Sequence, residues 1–156
     1  MPPGRGRRGR PPGRRRLPAG RDPLSPVEVA FPVPADRAFD YLADPRHRPL
    51  WQSSLRAVAD VRHGGAAWTD VTVVPGVRPR MRTTLSEPPH RWVEEGDWGP
   101  FRARLELRFA PTGAERCTVT AHFGVRGLGL GRLLTVGARP AVAADLRRAA
   151  DLLRPA

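Results

Sequence analysis

Lysine, isoleucine and asparagine are absent from this 156-residue chain, and all 27 basic residues are arginine. The codons of the three missing residues are AT-rich, so a GC-rich genome accounts for the gap and the pattern carries no chemical information. Cysteine is nearly absent too. Cys117 stands alone, which excludes an intrachain disulfide and removes any argument for an oxidising compartment. The chain lacks the run of about 18 apolar residues that a membrane span requires. Paired arginines at Arg7-Arg8 and Arg14-Arg15 suggest a twin-arginine export signal, but the apolar segment such a signal needs is missing, since Leu17 is followed by Pro18, Gly20, Arg21 and Asp22. A cytoplasmic location is therefore expected. Metal-ligand spacings such as HExxH or paired CxxC are also lacking, as is a nucleophile elbow, so neither a metal nor a cofactor is expected.

What is abundant is positive charge, and its location matters. Through Asp22, eight arginines face one acid, so that segment holds +7 of the total +12. Residues 1–25 are almost entirely Pro, Gly and Arg, too poor in apolar groups to offset the entropy of ordering, and are expected to be a disordered tail. Arg8-Gly9-Arg10-Pro11 matches the core of a minor-groove AT-hook, which makes Arg8 and Arg10 candidate nucleic-acid contacts. The same composition also allows a salt-sensitive contact with any acidic surface, or an inert extension created by a start site placed too early.

Residues 26–156 have the patterning of one folded domain. Val27, Val29, Phe31 and Val33 alternate with Glu28, Ala30 and Pro32, as in a strand with one buried face. Ala35, Ala38, Phe39 and Leu42 then share a helical stripe that Asp44-Pro45 ends, and a second helical turn is expected over Arg46 to Trp51, with Leu50 and Trp51 against the body. From Leu55, turn-forming Gly and Pro recur about every dozen residues and leave no room for crossover helices, so neighbouring strands must pair antiparallel. Phe101, Ala103, Leu105, Leu107 and Phe109 share one face, and Arg102, Arg104, Glu106 and Arg108 the other; Cys117 to Val125 repeats the division. A long C-terminal helix, expected to kink or break at Pro140, is the only element able to cover the apolar face of the sheet.

Several stretches in this order resemble the START/Bet v 1-like (SRPBCC) superfamily and, within it, the bacterial polyketide cyclase/dehydrase and lipid-transport group. They are Phe31 to Phe39 (FPVPADRAF), Asp44-Pro45 through Leu50-Trp51, Glu87-Pro88-Pro89-His90-Arg91, Gly99-Pro100-Phe101 and Thr118-Val119-Thr120. The resemblance implies an α+β helix-grip fold: a curved seven-stranded antiparallel sheet wrapped around the long C-terminal helix, with two short helices after the first strand. It also implies an apolar cavity between sheet and helix, the default ligand site. Because such folds host many functions, the likeness does not assign an activity.

The expected ligand is hydrophobic or aromatic, lipid- or polyketide-like. Aromatic candidates for the cavity wall are Phe39, Trp51, Trp68, Trp92, Trp98, Phe101 and Phe123. Met81, Leu105 and Leu134 are the aliphatic ones. The alternative is a cyclase or aromatase-type enzyme, for which His47, Tyr41, Asp70 and Glu94 are the candidate acid/base groups. Asp70 shares strand parity with Trp68, and Glu94 with Trp92. Pointing outward, these acids would pair with arginines such as Arg80, Arg82 or Arg102, which is the expectation. Pointing inward, they would need a buried partner or a raised pKa. His122 falls on the wet face, His63 and His90 in turns, and Cys117 on the dry face as inert core. Gly127 to Gly131 is expected to be a hinge rather than an anion-binding loop. Oligomeric state is left open.

Overall fold

The computed structural model describes residues 25–155; the tail reading, with Arg8 and Arg10, lies outside them. The chain forms β1 (Val27–Phe31), α1 (Ala35–Ala43), a 3-10 turn (Pro45–His47) running into the one-turn helix α2 (Arg48–Trp51), then β2 (Leu55–Arg62), β3 (Ala67–Thr72), β4 (Arg80–Glu87), β5 (Arg91–Trp98), β6 (Phe101–Gly113), β7 (Arg116–Arg126) and α3 (Gly131–Leu152). The seven strands make one antiparallel sheet in the order β1-β7-β6-β5-β4-β3-β2. Strands β2 to β7 are thus a meander, and β1 closes onto β7 through pairs such as Val29 with Val119. This is the α+β helix-grip architecture that the resemblance implied, with the antiparallel meander that the turn spacing required.

The dry face owes its burial to α1 and the second half of α3. Phe31, Leu42, Leu107, Val119, Cys117 and Leu146 are fully enclosed, and Phe39 meets Phe109 edge to face at 5.2 Å. Only the C-terminal half of α3 takes part, through Ala143, Leu146, Ala149 and Ala150, followed by Leu153. Leu130, Leu133 and Leu134 in its first turns are exposed, and Leu134 is not among the residues bordering the cavity between the sheet and α3, so helical spacing there did not mean core. Leu50 is likewise exposed, leaving Trp51 alone to anchor α2 with Arg48. The expected break at Pro140 does not occur: α3 continues through it as one element, with the ring on an exposed position where solvent can serve the freed carbonyl. Gly131 is required at the helix start because a Cβ there would run into the Val125 carbonyl. The same junction is tied by Val125 N donating to Thr135 Oγ1 at 2.9 Å.

The wet face is a lattice of charges. Glu106 accepts from Arg91 Nε at 2.9 Å, from Arg108 Nε at 2.8 Å and from Arg104 Nη2 at 3.1 Å. The Arg91 hydrogen bond is the largest cause of a Glu106 carboxyl held down at about 2, with Arg108 and Arg104 adding to it against the cost of burial. A carboxyl depressed in the folded state stabilises the fold above its ordinary value near 4.5 and loses that contribution as the pH falls through about 2. Glu106→Gln is therefore expected to cost about 1–2 kcal/mol at neutral pH, the exposed arginines screening the rest, and almost nothing at the acid end. Urea denaturation at both ends checks this; an equal cost at both would assign the effect to packing.

Candidate functional site

Along β5, residues 92, 94, 96 and 98 point to the inner face, and their sizes shape what lies there. Trp92, paired with Leu107, is fully buried and forms a floor. At the other end Trp98 pairs with Phe101, and the two rings stack at 6.1 Å with Trp98 partly exposed, as a rim. Between them the rows thin out. Gly96 lies between Met81 on β4 and Ala103 on β6, and a Cβ on Gly96 would collide with the Met81 thioether. Small residues in the middle of the sheet face, opposite Ala138, Ala141 and Val142 of α3, leave a cavity of about 390 Å³. Its walls are largely apolar, including Trp51, Met81, Leu105 and Phe123.

A cluster of charged side chains borders the cavity. Arg48 and Trp51 are three residues apart on α2, so both face inward, and Arg48 is only 2% exposed. Its Nη2 donates to Asp70 Oδ2 at 3.1 Å, and its Nη1 to Glu94 Oε2. Trp68 Nε1 donates to the other Asp70 oxygen at 2.9 Å, while the Arg48 guanidinium lies over the Trp68 ring, 5.2 Å from its centroid. Asp70 and Glu94 are 4% and 3% exposed, and with Arg48 they border the cavity. Burial pushes the Glu94 carboxyl up from its ordinary range; Arg48 pulls it back, and Asp70 adds to the push. Glu94 Oε1 has no protein partner among the described residues, which leaves one carboxyl oxygen to face the cavity. Arg48 Nε and Trp51 Nε1 are buried without partners among the same residues.

The arrangement corrects the outward expectation for Asp70 and Glu94. Arg82 pairs instead with Glu95 and Asp97, and Arg102 with Asp97, all on the wet face. The strand parity that these acids share with Trp68 and Trp92 was the correct guide. Of the candidate wall residues, Trp51, Met81, Trp98, Phe101, Leu105 and Phe123 border the cavity. Phe39, Trp68 and Trp92 are packed behind it in the core, the two tryptophans stacked on each other at 6.4 Å. His47 and Tyr41 stack against one another at 4.5 Å, and His47 Nδ1 lies 3.1 Å from the Tyr41 carbonyl, away from the cavity. Arg48 was not among the residues expected at the site; its spacing to Trp51, together with two inward acids in need of a cation, was the available signal.

Removing one partner of a buried charge cluster strands the others. Arg48→Met is expected to cost about 3–5 kcal/mol in urea denaturation, and adding Asp70→Asn and Glu94→Gln to return much of it. A triple variant no more stable than the single one would contradict the charge account.

Residues 26–156 match the family described as polyketide cyclase / dehydrase and lipid transport. No curated protein is a sequence match for the chain. Among solved structures, truncated norcoclaurine synthase from Thalictrum flavum superposes with a TM-score of 0.63 at 17% identity, over 85% of this chain and 98% of that one. A START superfamily protein from Mycobacterium smegmatis gives 0.63 at 11% identity, over 83% of this chain and 97% of the other. XoxI from Bacillus cereus gives 0.68 at 7% identity, over 82% and 93%. Likeness at such identities speaks to the fold. With most of its length matched to the family, the chain belongs to the polyketide cyclase/dehydrase and lipid-transport family of the START/Bet v 1-like superfamily.

Proposed function

We propose that this domain holds a hydrophobic or aromatic small molecule, lipid- or polyketide-like, in the space between the sheet and α3. The observation that carries this reading is the cavity of about 390 Å³, apolar over most of its wall and bordered by the buried Arg48, Asp70 and Glu94 cluster. Its volume lies in the range of small-molecule sites, and few, fixed polar groups in an apolar pocket are what orients a ligand. The family description, which covers both cyclases and lipid transport, agrees with a ligand-holding role.

A second reading is catalytic, a cofactor-independent cyclase or dehydratase. Glu94 favours it, because a carboxyl whose proton affinity is raised by burial and which borders a substrate-sized cavity can give or take a proton. Asp70, held by both Arg48 and Trp68, has the role of fixing the guanidinium in place.

Native mass spectrometry of the full chain purified from a bacterial host tests the binding reading. A retained small molecule, displaced by aromatic polyketide or fatty-acyl analogues, is the expected result. Ala103→Phe, which places a ring in the cavity, is expected to abolish retention while leaving the Tm unchanged or higher. A chain that emerges empty and takes up no analogue would overturn the proposal. Turnover of a bound poly-ketone analogue that disappears in Glu94→Gln would favour the catalytic reading.

A further inference from the structure

The chain carries +12 overall, yet the cavity lining has the opposite sign. Among the described residues, Asp70, Glu94 and Asp145 border it with Arg48 as their only cation. The guanidinium is already shared between Asp70 and Glu94, so the buried cluster of three is left one positive charge short of balance when both acids are ionised. Both Asp70 oxygens are occupied, by Arg48 and by Trp68 Nε1. Asp145 Oδ1 accepts from Ser53 N at 3.0 Å. Among the described residues this leaves Glu94 Oε1, on a buried residue that borders the cavity, and Asp145 Oδ2, on a half-buried residue of α3, without protein donors.

We infer that the ligand is an apolar or aromatic amine whose protonated nitrogen sits against Glu94 Oε1. This rests on the cavity being a ligand site, as proposed above. An ammonium placed there supplies the missing positive charge and a donor for the free oxygen, in surroundings dry enough for the pairing to count. A carboxylate in the same position would face Asp70 and Glu94, while Arg48 has both terminal nitrogens engaged by those acids and its unpartnered Nε enclosed, so fatty acids entering head first are disfavoured despite the arginine. A neutral alcohol can donate to Glu94 but leaves the charge unbalanced, and falls between the two.

Proton linkage adds a signature. The titratable or charged groups around Glu94 are Arg48 from α2 and Asp70 from β3, with Asp145 from α3 on the same cavity; its cross-strand neighbours Thr83 and Leu105 do not titrate. Because burial favours the protonated carboxyl, pairing with an ammonium must displace that proton. Amine binding should therefore tighten as the pH rises through the Glu94 titration, whereas alcohol binding should not.

Calorimetric titration of the full chain with three matched probes, naphthylethylamine, naphthylethanol and naphthylacetate, tests the inference. The amine is expected to bind at least about tenfold more tightly than the alcohol and about a hundredfold more tightly than the carboxylate. In Glu94→Gln the amine-to-alcohol ratio should fall to about one, with a thermal unfolding scan confirming that the variant is folded. Alcohol or carboxylate binding as tight as the amine overturns the inference and leaves the cavity reading standing. A ratio that persists in a folded Glu94→Gln also overturns it. Failure of all three probes to bind overturns the inference and counts against the cavity reading as well. The wild-type ranking decides the matter even where the variant does not fold.

Discussion

A single buried guanidinium organises the interior of this domain. Arg48 reaches from a one-turn helix to two strands, joining Asp70 on β3 to Glu94 on β5 across the intervening β4. Taking three charged groups out of water costs several kcal/mol each, and their mutual attraction returns that only when geometry and hydrogen bonds are good. Here Trp68 contributes a hydrogen bond to Asp70 and a ring face to the guanidinium. The cluster fixes the position of α2 over the sheet, and with it Trp51 at the cavity wall. It also leaves Glu94 held at one oxygen and free at the other. A core built for stability alone would place apolar side chains at these positions.

The two faces of the sheet treat the same residue types in opposite ways. On the outer face Glu106, Glu95 and Asp97 are outnumbered by arginines, water screens each pair, and the carboxyl of Glu106 is held down at about 2. On the inner face two acids share one arginine, solvent is excluded, and Glu94 is pushed up instead. Neighbouring residues Glu94 and Glu95 on β5 therefore meet opposite environments because successive side chains of a strand point to opposite faces. Local net charge, not composition, sets the chemistry: a chain at +12 presents an acid-rich lining to whatever enters its cavity.

The fold was legible in the sequence because its determinants are local and periodic. Alternation in β1, β6 and β7, the stripe of α1 and the recurrent turn residues leave few other architectures. The cavity was harder to see, since it depends on what is small, at Gly96 and Ala103, as much as on what is large. Large aromatics drew attention as wall residues, yet Trp68 and Trp92 serve the core behind the cavity because their size fills the floor. Leu134 misled for a different reason: a helix can keep its apolar spacing through turns whose leucines stay exposed. Arg48 was hidden among 27 arginines on an element too short to have a periodicity of its own. Whether Asp70 and Glu94 pointed in or out turned on the parity they share with two tryptophans, a clue of the right kind that common experience of exposed acids outweighed.

Glu94 is central as a buried carboxyl bordering the cavity whose proton affinity is raised by its surroundings. Carbon-13 NMR titration of the glutamate carboxyls, with Glu94 assigned through the Glu94→Gln variant, reads this directly. A Glu94 midpoint clearly above the ordinary value of 4.5 that moves down when naphthylethylamine is added is the predicted result. A midpoint at or below that value, unchanged by ligand, would mean that Arg48 alone governs the carboxyl and that the cavity does not communicate with it.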